Sequence, residues 1–186
     1  MLVDSNSAAG TDSEPGVDRQ RVGIYGGSFD PVHRGHLLVA QAAREELSLD
    51  RLFFVPAASS PFKPDQALAP GAMRLRLLRL ALAGRPECEV DDLEIRRGGV
   101  SYSIDTVRIF KERHPGAKLF YLIGTDHAST LGKWKESGEL ARLAEFVIIP
   151  RPGVAEVEAP PEFVTHRLRG FPLGVSASQI RERVRS

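Results

Sequence analysis

The stretch Gly26-Gly27-Ser28-Phe29-Asp30-Pro31-Val32-His33-Arg34-Gly35-His36 decides the fold of this chain. It follows a short apolar run that ends at Tyr25, and it precedes a helical pattern that continues to about Leu47. A strand that enters a glycine-rich turn and then a helix is typical of a phosphate site. Glycine lets backbone N–H groups approach an anion, and the helix N-terminus adds about half a positive charge. Because His33 and His36 lie three residues apart, the first helical turn would hold both imidazoles on one face. We therefore expect a polyphosphate site with backbone donors and two cationic imidazoles.

Strand-like and helix-like segments alternate along the rest of the chain. The predicted strands are Arg21–Tyr25, Arg51–Val55, Glu89–Ile95, Leu119–Ile123 and Phe146–Ile149. After the first helix, the predicted helices are Met73–Ala83, Ser103–Arg113, Gly138–Ala144 and Ala177–Val184. We expect Asp30 and Pro31 to lie at or near the first helix start, with a structural role for Asp30. The alternation predicts an α/β fold with a mainly parallel sheet and helices on both faces, and ligands bind such sheets at the carboxyl ends of the strands.

Composition limits the classes of protein to consider. The 186 residues, 42% of them hydrophobic, suffice for one domain with a proper core, which we place at 21–186. Residues 1–20 are rich in small and acidic side chains and predict a disordered extension. A net charge of +1 gives no bulk electrostatic reason to expect nucleic-acid or membrane binding. The single cysteine, Cys88, excludes an internal disulfide and fits a reducing compartment, so we expect a cytoplasmic protein.

The opening stretch resembles the HxGH signature of the nucleotidylyltransferase superfamily, and its full string is similar to the version found in nicotinate-nucleotide adenylyltransferases. Four further segments follow in that family's order, so the resemblance extends to Arg181. It implies a Rossmann-like fold and transfer of AMP from ATP to nicotinate mononucleotide in NAD biosynthesis, with nicotinate adenine dinucleotide and pyrophosphate as products. It also implies that His33 and His36 are catalytic residues on the phosphates. The implied backbone contacts to ATP are Gly26, Gly27, Ser28 and Phe29.

Three of the further segments add implied ATP contacts. A loop ending in Lys63 and Pro64 resembles the family's PPHK segment, in which the basic residue reaches the phosphates, although Phe62 stands where the family often has His. Ile123-Gly124-Thr125-Asp126 is similar to the family's GxD, which implies that Gly124 and Asp126 lie near the adenosine. The segment from Gly174 to Arg181 resembles ISSTxIR, and so assigns phosphate binding to Ser176, Ser178 and Arg181, the last as a catalytic residue. The alternatives are a solvated loop lysine and an ordinary serine cap on a basic surface helix.

The acceptor side rests on the remaining segment and on Trp134-Lys135, which follows the GxD string in the chain. Asp92 to Thr106 is similar to the family's DxxE and SYTxDT string, which implies that Tyr102 and Ser103 contact the nicotinate part of the acceptor. Trp134 would stack on the pyridine ring, and the backbone N–H of Lys135 would meet the carboxylate. Plain packing of the indole and simple capping by serine are the alternatives. Mg²⁺ would be bound mainly by the triphosphate and water, with no metal site formed by the protein itself.

Two other functions remain open at this stage. One is an adenylyltransferase that uses another acceptor, such as nicotinamide mononucleotide, phosphopantetheine or a phosphorylated alcohol. The other is a non-catalytic nucleotide-binding module of the same fold, against which the retention of both histidines and Arg181 argues. The sequence does not determine the oligomeric state.

Overall fold

The computed structural model describes residues 19–62, 67–151, 153, 155, 157–170 and 176–185. The strands are β1 Arg21–Gly27, β2 Arg51–Pro56, β3 Cys88–Val90, β4 Lys118–Gly124, β5 Glu145–Ile149 and β6 Thr165–Arg167. The helices are α1 Arg34–Leu47, α2 Gly71–Ala81, α3 Leu93–Arg97, α4 Ser103–Arg113, α5 Thr125–Ala128, α6 Ser137–Leu143 and α7 Ala177–Arg185, with a 3-10 turn at Leu131–Lys133. No helix within these ranges is both long and apolar enough to cross a membrane.

The six strands form one sheet in the order β3-β2-β1-β4-β5-β6, and all the pairs described are parallel. The chain builds outward from β1 to β3 and then returns to the other side of β1 with β4. Strand order therefore reverses between β1 and β4, the position at which open parallel sheets bind ligands. The predicted Rossmann-like fold is confirmed.

Side chains of the central strands alternate between two core layers, as the period of a strand requires. Val22 and Ile24 of β1 pack in the layer that contains α4 and α6, whereas Tyr25 packs in the layer that contains α1 and α2. Among the described residues these two layers cover both faces of the sheet, and the ends of its strands lie between them.

One predicted strand is wrong in its second half. The segment Glu89–Ile95 was expected to be extended, but β3 ends at Val90 and α3 begins at Leu93. The Asp91 carboxylate accepts a hydrogen bond from the N–H of Leu93 at 3.0 Å, and Arg96 pairs with Asp92 at 2.7 Å one turn on. Two adjacent aspartates thus end the strand and start a helix.

Other boundaries differ where local signals are weak. The N-cap of α1 is His33, so Asp30 does not cap the helix but lies 6% exposed before it. Asp126 lies in the first turn of α5, just beyond the end of β4. The short edge strand β6 was not predicted at all. Residues 1–18 of the predicted extension lie outside the described residues.

Candidate active site

A cavity of about 560 Å³ opens at the carboxyl ends of β1, β4 and β5. Its walls come from the glycine-rich turn after β1, the first turn of α1, the ends of β4 and β5, and the start of α7. Elements far apart in the sequence therefore converge on one concave surface at the point where strand order reverses.

The two histidines of the opening stretch stack on each other at this edge. Their ring centroids lie 3.7 Å apart with an interplanar angle of 30°. The backbone N–H of His33 donates to Nδ1 of His36 at 3.1 Å. Because Nδ1 of His36 accepts this bond, the proton of the neutral ring lies on Nε2.

Neither histidine favours the charged form. Burial, together with the charges of His33 and Arg151, lowers the pKa of His36 from 6.5 to about 3. Burial also lowers the pKa of His33, whose Nδ1 is enclosed without a hydrogen-bond partner among the described residues. The expectation of two cationic donors is therefore wrong for His36 in the free protein, which offers a neutral N–H donor instead.

The aromatic rings of Phe29 and Tyr25 pack against the glycine-rich turn and His36. Phe29 is 2% exposed, and its ring lies 5.4 Å from Tyr25 and 5.0 Å from His36, measured between centroids. Position 26 of the turn needs glycine, because a Cβ on Gly26 would lie 2.6 Å from the hydroxyl of Tyr121. The turn thus packs closely against Tyr121, and the contact with Phe29 helps to orient the imidazole of His36.

The last helix brings a cation to the same edge. Nη2 of Arg181 donates to Oγ of Ser178 at 3.2 Å, and Nη1 donates to the backbone carbonyl of Asp30. The Asp30 carboxylate lies 3.8 Å from Nη1 as well. Ser176 caps α7, because its Oγ accepts from the N–H of Gln179 at 3.2 Å. The predicted phosphate residues of α7 thus meet the turn that carries the histidines.

The sequence of this chain is similar to those of known proteins over most of its length. The family model described as Cytidylyltransferase-like matches residues 24–183. A relative from Opitutus terrae, named as a probable nicotinate-nucleotide adenylyltransferase, is 42% identical over 168 residues and is aligned over 89% of this chain and 86% of its own. A relative from Gloeobacter violaceus with the same name is 38% identical over 173 residues, with 89% and 84% covered.

The chain belongs to the nicotinate-nucleotide adenylyltransferases.

The fold of this adenylyltransferase also matches solved structures. The Plasmodium falciparum nicotinic acid mononucleotide adenylyltransferase complexed with NaAD superposes with a TM-score of 0.73, at 20% identity over 88% of this chain and 83% of that one. The same enzyme complexed with APC gives a TM-score of 0.70 at 19% identity, with the same shares covered. At these identities the likeness concerns the fold.

The end of the cavity away from the histidines is lined by aromatic rings and hydroxyls. Trp134 packs edge-on against Tyr121 and Phe146, with centroids 6.4 Å and 6.2 Å away, and Phe62 lies 5.4 Å from the indole. Ser103 begins α4 and donates its hydroxyl to Tyr121 at 3.0 Å. Trp134 and Ser103 both line the cavity, although each also makes the packing or polar contact that a purely structural role would require.

Several predicted residues lie beside the cavity without lining it. Tyr102 packs against the core layer of α4, and Nζ of Lys135 lies 4.7 Å from the centre of its ring. Lys135 also pairs with Asp105 at 3.4 Å. Asp126 stands next to Gly124 and pairs with Arg151 at 3.4 Å. Lys63 lies outside the described residues.

Two residues that line the cavity, Arg151 and Glu94, were not predicted as site residues. Arg151 lies two residues after the end of β5, and a Cβ on Gly124 would come within 3.2 Å of its guanidinium. Its position just after a strand end was a usable signal. Glu94 lines the cavity while 3% exposed, and burial raises its pKa despite hydrogen bonds from Thr106 and Ser101. The resemblance to the family's DxxE string includes Glu94, but it does not by itself indicate a buried carboxylate at the cavity.

The described residues contain no group of three or more His, Cys, Asp or Glu side chains that could hold a metal ion. Apart from Asp30, the polar groups around the turn are mainly donors: imidazole, guanidinium, hydroxyl and backbone N–H. Such a set suits the oxygens of a polyphosphate.

Proposed function

We propose that this protein transfers AMP from ATP to nicotinate mononucleotide and releases pyrophosphate. The observation that carries the proposal is the meeting of the stacked histidine pair, the glycine turn and Arg181 at one end of a cavity whose other end is lined by Trp134 and Ser103. The names of the relatives support the same reaction. A donor-rich end suits a triphosphate, and an aromatic end suits a planar ring.

The reaction needs little proton chemistry. An oxygen of the acceptor's 5′-phosphate, already anionic, forms a bond with the α-phosphorus of ATP while the bond from that phosphorus to the β-phosphate oxygen breaks. Pyrophosphate leaves with the electron pair of the broken bond. Catalysis then consists of holding the two phosphates in line and stabilising the charge that develops on them.

Each group at the turn has a distinct part in this proposal. Backbone N–H groups of Gly26, Gly27, Ser28 and Phe29 contact ATP. His36 donates Nε2–H to the transferring phosphate, while His33 and Arg181 hold the neighbouring phosphate oxygens. Lys63, Ser176 and Ser178 add phosphate contacts, and Gly124 and Asp126 lie towards the adenosine.

Acceptor recognition is assigned to the far end. Trp134 stacks on the pyridine ring, and N–H groups near Ser103 and Lys135 bind the carboxylate, with Tyr102 as a further contact. Mg²⁺ enters as part of the substrate, bound to the triphosphate and water, because the donors around the turn are groups that bind anions.

Pyrophosphate release from ATP tests the proposal across an acceptor panel of nicotinate mononucleotide, nicotinamide mononucleotide and phosphopantetheine. We expect rapid release with nicotinate mononucleotide and at least tenfold lower kcat/KM with the amide. Equal use of acid and amide would refute the acceptor assignment. ATP binding with no release for any acceptor would refute the enzymatic function and favour a nucleotide-binding module.

A further inference from the structure

Arg74 is the largest side chain that the described structure buries fully. It lies in the first turns of α2 and is 2% exposed, whereas Arg79 on the same helix has a side chain that is 62% exposed. The other buried residues of α2 are leucines, Leu75 and Leu78, which pack in the core as expected. A guanidinium in such a place is costly unless its hydrogen bonds and charge are matched.

One hydrogen-bond partner of Arg74 lies in the glycine turn, and the other lies just before α2. Nη1 donates to the backbone carbonyl of Ser28 at 2.7 Å, and Nε donates to the carbonyl of Ala69 at 3.0 Å. In a planar trans peptide the carbonyl and the N–H point in opposite directions. By holding the Ser28 carbonyl on the α2 side, Arg74 directs the N–H of Phe29 away from α2. Phe29 has a φ of +46°, a conformation that persists only when surrounding contacts hold it.

Asp30 connects Arg74 to the last helix. Burial lowers the pKa of Arg74, and the negative charge of Asp30 opposes that effect. The same Asp30, 6% exposed, faces Arg181, which donates to its backbone carbonyl and approaches its carboxylate to 3.8 Å. The negative charge of Asp30 thus acts on a cation of α2 and on a cation of α7.

We propose that Arg74 is a positioning residue for adenylyl transfer: it fixes the Ser28–Phe29 peptide and, through Asp30, the placement of Arg181. The inference rests on the proposed function for its kinetic readout. Arg74 does not touch the reacting atoms in this scheme. It acts by keeping the donors of the turn and of α7 aligned with the transferring phosphate, so its loss reduces turnover more than substrate binding.

The test compares Arg74→Met with Arg74→Lys, and uses Arg79→Met as a matched control on the exposed face of α2. The measurements are kcat, KM for each substrate and the thermal midpoint. We expect Arg74→Met to lower kcat at least tenfold with the acceptor KM within twofold. Arg74→Lys should recover part of the loss, because it keeps the charge but not the planar fork. Arg79→Met should keep kcat within twofold. A kcat for folded Arg74→Met within twofold of wild type would overturn the proposal.

A double-mutant cycle tests the link through Asp30. If Arg74 acts on Arg181, the combined variant Arg74→Met with Arg181→Met loses clearly less kcat than the product of the two single losses. Losses that multiply in full would refute the coupling. If Arg74→Met fails to fold, the cycle is run with Arg74→Lys, and the same two outcomes decide it.

A binding readout separates this inference from the proposed function. The ³¹P resonance of the α-phosphate of bound ATP reports the alignment of the turn without any turnover. We expect Arg74→Met to shift this resonance towards its value in free ATP, and Arg79→Met to leave it in place. If the wild-type protein turns over no acceptor, the proposed adenylyl transfer is refuted but the positioning role of Arg74 is not. An α-phosphate resonance unchanged in Arg74→Met refutes the positioning role.

Discussion

Acidification should destabilise this protein through His36. Burial lowers the pKa of that imidazole from 6.5 to about 3. Between these two pH values the imidazole is therefore mostly protonated in the unfolded chain and mostly neutral in the folded protein. A group with a depressed folded pKa contributes stability that is full above its unfolded pKa and is lost as pH falls towards the folded one. Stability should thus decrease continuously from pH 6.5 downward.

The magnitude follows from the two pKa values. Between pH 6.5 and 5 the fully shifted imidazole would remove at most about 1.6 kcal/mol from the free energy of unfolding. His36 is only partly buried, and solvent screens part of its environment. We therefore expect about 1 kcal/mol over that interval.

The assay is urea denaturation at several pH values for wild type and His36→Gln. Glutamine does not titrate, and its carbonyl oxygen can still accept the N–H of His33. The difference between the two proteins isolates His36 from His33, whose pKa is also lowered by burial. The variant should lose about 1 kcal/mol less than wild type on acidification. Parallel pH profiles, or a wild type that gains stability relative to the variant at low pH, would refute the reasoning.

Three further predictions concern the phosphate and acceptor ends. Arg181→Lys should reduce kcat/KM despite retaining the charge, since lysine cannot reproduce the planar fork that reaches Ser178 and Asp30. Unchanged steady-state kinetics would mean that Arg181 is a surface charge with no role in turnover. Trp134→Ala should raise KM for acid and amide acceptors by similar factors, because each loses about 1–3 kcal/mol of stacking free energy, and it should leave ATP binding intact. Isothermal titration with each ligand measures the affinities, and an unaltered acceptor affinity would contradict the prediction. Gly26→Ala should destabilise the protein by about 1–3 kcal/mol because the new methyl group would lie 2.6 Å from the Tyr121 hydroxyl; adding Tyr121→Phe should restore part of the thermal midpoint, and no recovery would argue against that contact.

Features encoded by short sequence windows could be predicted from this chain. The strand, turn and helix around Gly26 to His36 were expected in this order, and the sheet has the parallel arrangement that alternating apolar strands indicate. The roles assigned to individual site residues stay predictions. The stacking of His33 on His36 depends on a bond between the backbone of one and the ring of the other, which spacing alone does not specify.

Features that depend on tertiary contacts could not be predicted. Arg74 is one of several arginines in a leucine-rich helix, and only packing against the glycine turn distinguishes it from Arg79. The charge state of His36 depends on burial beside Phe29 and on Arg151, which lies more than one hundred residues away in the sequence. The segment after Val90 was misassigned because its apolar residues fit a strand, whereas Asp91 and Asp92 favour a helix start.

Because of the way α7 is attached, the helix can leave the candidate site while the rest of the fold stays intact. None of the residues 176–184 is buried, and the helix reaches the turn mainly through the guanidinium of Arg181 on Asp30. The described residues of α7 bury little apolar area, so we expect its detachment to cost far less free energy than opening the sheet. Amide protons of α7 should then exchange with solvent through a local opening, at a rate insensitive to mutations in the core. A bound triphosphate that engages Arg181 would suppress this opening, so substrate would order the final piece of its own site.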